Sequence, residues 1–124
     1  MSDAETARRI AMSLPEAEDC SVPGRLSFRV RGKQFAWTFM DRVVENRPRQ
    51  PDIGVLAVRC TMEEKLIHLA ADPEKFFTND HYHGFPAVLV RLDRVDEDEL
   101  MELIKDGWRA QVPKNMARQL DDAS

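Results

Sequence analysis

Only two cysteines, one tyrosine and three histidines occur among the 124 residues. Each scarcity excludes something. Cys20 and Cys60 are too few and too far apart for a disulfide framework, so both are expected as reduced thiols. No CxxC or HExxH spacing supports a metal site, and neither a Walker A run nor GxGxxG offers a phosphate-cradling loop. No apolar run approaches the roughly 18 residues that a membrane-spanning helix needs, so no membrane partner is expected. The N-terminal stretch Met1-Ser2-Asp3-Ala4-Glu5 is acidic and lacks the basic and apolar segments of a signal peptide, which predicts a cytoplasmic protein. The formal net charge of −4 argues against coating nucleic acid through bulk electrostatics, although it permits a local contact surface.

What is present is a well-solvated globular chain, 43% hydrophobic and 32% charged. Its length suits one domain over residues 1–124 and leaves no room for a second core. The charge is unevenly spread. Residues 21–50 carry seven Lys/Arg against Asp41 and Glu45, a net of +5 inside an acidic chain. Such a segment attracts phosphates or other anions.

Ser2 and Glu5 have capping-box spacing ahead of Ala7, Ile10, Ala11 and Leu14, which predicts an amphipathic helix that Pro15 ends. Residues 26–40 predict a hairpin turning at Gly32-Lys33 in type II′ geometry. That register sets Phe28, Val30, Phe35, Trp37 and Phe39 on a core face. Ser27, Arg29, Arg31, Gln34, Ala36 and Thr38 then share a polar, cationic face. Residues 41–54, with Pro48, Pro51 and Gly54, predict a long loop, and Val55 to Cys60 a strand. Thr61 and Glu64 form a second capping box before a helix expected to turn Leu66, Ile67, Leu69 and Ala70 inward. Asp72-Pro73 predicts a short helical turn tucking in Phe76 and Phe77. Residues 78–85 follow as a loop and 87–92 as a central strand. Asp96 caps a helix with an acidic first turn ahead of Leu100, Leu103, Ile104 and Trp108. Pro113 opens a last helix with Met116, Ala117 and Leu120 on one side. The fold class expected is α+β, an antiparallel sheet with helices on one face.

No catalytic constellation emerges. Cys60, at a strand-to-helix junction, is expected as a buried small hydrophobe, and no cysteine–histidine pair sits in a local signature. His81 and His83 flank Tyr82 at i, i+2, which falls short of the three or four ligands of a zinc site. The Glu97–Glu99 carboxylates stabilise a helix start. The cationic hairpin remains: Arg supplies a planar fork for phosphate or carboxylate, and Lys a mobile point charge. A two-stranded ribbon is also narrow enough for a DNA major groove. From residue pattern alone, the same side chains equally suit an exposed sheet face or pairing with the acidic helices.

In ordered motifs the chain resembles the MmcQ/YjbR family of small bacterial proteins. The likeness runs through Ser13-Leu14-Pro15-Glu16-Ala17, then Phe28-Arg29-Val30-Arg31-Gly32-Lys33-Gln34-Phe35-Ala36. It continues with Ala71-Asp72-Pro73-Glu74-Lys75-Phe76-Phe77 and Tyr82-His83-Gly84. It ends with Asp96-Glu97-Asp98-Glu99-Leu100, Trp108-Arg109 and Val112-Pro113-Lys114. The resemblance implies a compact α+β fold of double-wing type and the family's usual label, predicted DNA-binding protein.

The expectation is therefore a non-enzymatic domain, monomeric or weakly dimeric, without cofactor or metal. It would contact DNA through Arg25, Arg29, Arg31 and Lys33. Arg47 and Arg49 would extend that surface, and Lys114 and Arg118 would be second contributors. The alternative is a protein-interaction or small-anion-binding domain. There the same arginines hold a carboxylate or phosphate in a pocket between the sheet and the Tyr82 loop, with Tyr82, His83 and Trp108 as pocket candidates.

Overall fold

Six strands and four helices alternate along the chain in a computed structural model that describes residues 1–42 and 46–123. They are α1 (Ala4–Met12), β1 (Ala17–Asp19), β2 (Ser27–Val30), β3 (Lys33–Asp41), β4 (Gln50–Arg59), α2 (Met62–Ala71), β5 (Phe76–Phe77), β6 (Ala87–Arg91), α3 (Glu97–Ala110) and α4 (Lys114–Ala123). The strands form one antiparallel sheet in the order β1-β2-β3-β4-β6-β5.

Consecutive residues of a strand point to opposite faces, so the pairing register sorts the side chains. Ala36, Val58 and Val88 share a row on the inner face, as do Thr38, Leu56 and Val90. Ala7, Ile10 and Ala11 of α1, Leu100, Leu103, Ile104 and Trp108 of α3, and Met116 of α4 pack against that face. Gly107 is where α3 comes closest: a Cβ there would lie 2.8 Å from Val58 Cγ1 and 2.9 Å from the Arg59 carbonyl oxygen. Helices covering one face of an antiparallel sheet are what the sequence predicts.

The hairpin differs from its predicted register. Arg31 and Gly32 both take positive φ, 50° and 79°, and Val30 pairs with Lys33. The turn is therefore of type I′ and sits one residue earlier than Gly32-Lys33. A bulge follows, because Arg29 pairs with Gln34 whereas Phe28 pairs with Ala36. The extra residue shifts the alternation by one. Phe35 and Ala36 both enter the inner core, whereas Trp37 and Phe39 move to the outer face with Ala57 and Leu89. Thr38 becomes an inner-face residue whose hydroxyl oxygen accepts from the Leu26 N–H at 2.8 Å.

The predicted loop over residues 41–54 is mostly strand. Asp41 pairs with Gln50, Met40 with Pro51 and Phe39 with Asp52, and residues 43–45 lie outside the described residues. Pro51 is tolerated because β6 begins pairing only at Val55, so this stretch of β4 has one partner strand. Residues 73–75 form a turn, and Phe76-Phe77 continue as strand rather than helix. At α1 the cap is Asp3, accepting from the Thr6 N–H at 2.9 Å, while Ser2 is buried and donates to the Val95 carbonyl.

Helix α2 keeps its expected phase only in part: Leu69 packs against the core, but the other expected residues do not. Lys65 is its buried residue, whereas Leu66 and Ile67 are 64% and 59% exposed and Ala70 is exposed too. Lys65 Nζ donates to the Tyr82 carbonyl and, at 2.8 Å, to the Phe85 carbonyl. Periodicity places residues on a common face but does not say which face is inside. A buried ammonium needs acceptors, and the Tyr82 and Phe85 carbonyls, each already accepting one backbone N–H, supply them.

Candidate functional site

Among the described residues no helix contributes to the buried cluster on the outer face of the sheet. The segment of residues 78–86 crosses that face, and buried Tyr82 packs there with Phe39, Ala57, Ala87 and Leu89. Five of the nine Phe, Trp and Tyr residues gather here, linked edge to face except for the tilted Phe39–Tyr82 pair. Phe85 lies 6.2 Å from Trp37 and 6.0 Å from Tyr82, Tyr82 lies 5.9 Å from Phe39, and Phe39 lies 6.1 Å from Phe77. Trp37 Nε1 donates to the Tyr82 hydroxyl oxygen at 3.0 Å. An arginine closes each end: Arg59 sits 5.0 Å over Phe85 and Arg91 4.1 Å over Phe77. Arg59 Nε is buried without a hydrogen-bond partner among the described residues.

Beside this aromatic cluster runs the cationic edge. Arg25, Ser27 and Arg29 follow one another at i, i+2, i+4, and a Val22–Arg25 bridge around Pro23-Gly24 turns the chain just before them. With Cys20, Val22 and Gln34 they line an open groove of about 300 Å³. The Gln34 side-chain amide donates to the Ser27 hydroxyl oxygen at 2.9 Å. Arg29 Nη1 reaches the Gly32 carbonyl at 3.3 Å, and neither Arg25 nor Arg29 has a carboxylate within ion-pair distance among the described residues. Glu18 faces Arg29 across the β1–β2 pairing without forming such a pair.

The other predicted cations do not join them. Arg31, at the turn, donates through Nε and Nη2 to both carboxylate oxygens of Glu16, each at 3.2 Å. That pairing lowers the Glu16 pKa and raises that of Arg31. Arg29 and Arg31 thus do not share a face, and Lys33, opposite Val30, points with the inner-face residues. The acidic helix residues choose other partners. Glu97 pairs with Arg9, Glu99 with Lys75 and Asp121 with Arg109, while Asp122 lies outside the residues whose side chains are described. Arg47 and Arg49 lie in the β3–β4 connection, at the opposite end of β3 from the turn that carries Arg31, and do not line the groove. Lys114 and Arg118 are exposed on α4, in the helical layer behind the sheet. Nor is the hairpin a free ribbon, because β1 pairs along Phe28–Val30 on its outer side.

The pocket candidates separate as well. Trp108 is wholly buried on the inner face and donates from Nε1 to the Pro15 carbonyl at 3.0 Å, so it cannot share a pocket with Tyr82 across the sheet. Tyr82 is itself 7% exposed, and His83 is exposed on the crossing segment. Among the described residues no three His, Cys, Asp or Glu side chains are spaced to share a metal ion. His68 stacks on Phe76, 4.7 Å between ring centroids, away from His81 and His83. Burial first, and then Glu64, pushes the Cys60 thiol up to about 11, which disfavours the thiolate at neutral pH. No helix of the described residues is long and apolar enough to cross a membrane.

Arg59, Arg91 and Phe85 were not singled out from sequence. Arg59 and Arg91 lie at the ends of apolar strands, and the sequence signal they leave is their two-residue phase with Ala57 and Leu89.

Comparison with known proteins agrees with this architecture. The crystal structure of Deinococcus radiodurans protein DR2400, a DUF419 domain, superposes with a TM-score of 0.67 at 20% identity, covering 98% of this chain and 89% of that one, a likeness of fold. Uncharacterized proteins of Mycobacterium tuberculosis and Mycobacterium bovis are 34% identical over 101 residues, covering 73% of this chain and 76% of each relative. The YjbR family model matches residues 12–110, and the chain belongs to the YjbR family.

Proposed function

We propose that this protein is a non-enzymatic nucleic-acid-binding domain that engages phosphates through Arg25 and Arg29. One observation carries the reading: two exposed guanidinium groups share an open groove with hydroxyl and amide donors and without an ion-paired carboxylate among the described residues. Unpaired arginine forks are suited to phosphate oxygens, whereas the Arg31 fork is already occupied by Glu16. The contact surface is thus narrower than the cationic run in the sequence.

Fluorescence anisotropy with a labelled mixed-sequence oligonucleotide at low salt tests this. Binding should weaken with salt, by about 0.7 log units per log unit of salt for each phosphate neutralised on a single strand. The Arg25→Ala/Arg29→Ala variant should lose about 1.4 of that slope, as two contacts predict. Unchanged affinity and slope in the double variant would refute the assignment.

The groove volume favours one second reading, a small anion such as phosphate or a carboxylate held by the same arginines. Thermal stabilisation by inorganic phosphate, without oligonucleotide binding, would select it.

A further inference from the structure

We infer that the nucleic acid is single-stranded, with a base stacked at Trp37 and Phe85 between Arg25 and Arg29 on one side and Arg59 on the other; this rests on the preceding reading. Three observations lead there. Trp37 of β3 is half-buried, and Phe85, which meets it in T-shaped geometry, is 39% exposed on a face that no helix covers among the described residues. Arg25 and Arg29 flank β3 on the β2 side and Arg59 flanks it on the β4 side, so Arg29 and Arg59 are two strands apart, about 10 Å at ~4.8 Å per strand. The Arg59 guanidinium lies on the Phe85 ring with Nε unpaired, which offers a cationic plane on which a base can stack.

This arrangement suits a chain with splayed bases. Phosphates would follow Arg25 and Arg29 along β2 while a base turns inward across Ser27 and Gln34. A duplex keeps its base faces stacked internally, and the embedded hairpin gives no protruding element to enter a major groove. By strand phase the acidic groups of this face are Glu18, across from Arg29, Asp41, two residues beyond Phe39 on β3, and Asp52, across from Phe39 and bound to the Gly54 N–H; Asp80 lies in the crossing segment. None is within ion-pair distance of Arg25, Arg29 or Arg59 among the described residues.

The test compares labelled oligo(dT) with a duplex of equal length, using wild type, Phe85→Ala, Phe85→Leu and Arg25→Ala/Arg29→Ala. Single strand should bind better than duplex. Phe85→Ala should weaken single-strand binding about five-fold or more, in line with the loss of one stacked base. Phe85→Leu retains apolar packing and should weaken it as well, which separates stacking from a folding defect. A readout on the wild type needs no variant. Oligo(dT) should quench the emission of Trp37, whereas inorganic polyphosphate, which fills the arginine groove alone, should not. Equal affinity for both nucleic acids, with Phe85 variants at wild-type strength and the double arginine variant impaired, overturns this inference and leaves phosphate binding standing. Absence of binding to both nucleic acids overturns the two together.

Discussion

The inner face of the sheet is sealed by helices and holds Trp108 at 0% exposure, whereas the outer face is crossed by one short segment and leaves Trp37 half-buried. Each indole is satisfied by a single acceptor at 3.0 Å, the Pro15 carbonyl for Trp108 and the Tyr82 hydroxyl for Trp37. The two environments differ in their borders. Trp108 belongs to a closed cluster of aliphatic and phenylalanine side chains, over which Gly107 lets α3 sit directly on the strands; Trp37 belongs to a small aromatic cluster bordered by arginines. An apolar face closed on all sides contributes to stability, while one bordered by free guanidinium groups keeps recognition chemistry at the surface.

Truncating each face should separate these roles. Trp108→Ala is expected to cost about 3–5 kcal/mol of unfolding free energy, because a large buried ring leaves a cavity and an unsatisfied Pro15 carbonyl. Phe85→Leu, on the open face, should cost about 1 kcal/mol or less. Urea unfolding measures both, and comparable losses would erase the distinction between the faces.

Lys65 links α2 to the segment that crosses the outer face. Its ammonium pKa is held below the ordinary lysine range by burial, with its donors directed at the Tyr82 and Phe85 carbonyls. Lys65→Met keeps much of the volume but removes the donors, and should cost about 1–3 kcal/mol. Hydrogen exchange should accelerate selectively in residues 78–86, whereas uniform acceleration would argue that Lys65 supports the whole fold.

The smallest effect concerns Glu16, whose pKa is lowered chiefly by its hydrogen bond to Arg31. A lowered folded-state value means its contribution is fully present above the unfolded pKa of about 4.3 and is lost as pH falls through the folded value. The stability difference between wild type and Glu16→Gln should therefore be present at neutral pH and vanish in strong acid. In the same variant, freed Arg31 should add less to oligonucleotide affinity than Arg25 and Arg29 remove, because it projects from the turn rather than the groove.

Much of the fold is legible in the sequence wherever the determinant is local. The Thr61–Glu64 capping box and the Asp96 N-cap form as expected, and Leu100, Leu103, Ile104 and Trp108 face inward together. At the candidate site, Arg25 and Arg29 are found from charge, but Arg59 and Phe85 are not, because strands distant in sequence bring them together.

The amino-acid sequence by itself determined the four helices, the starts of α2 and α3, the hairpin, the family pattern and a positive segment within an acidic chain. It did so because capping, periodicity and net charge depend on neighbours within a few residues. Tertiary structure alone decided three matters: that the bulge at Phe35 sends Trp37 and Phe39 to the outer face, that α2 turns Lys65 inward, and that Glu16 removes Arg31 from the free cations. Each depends on a partner brought near by pairing or packing, and a one-residue shift in a strand exchanges its faces without changing its composition.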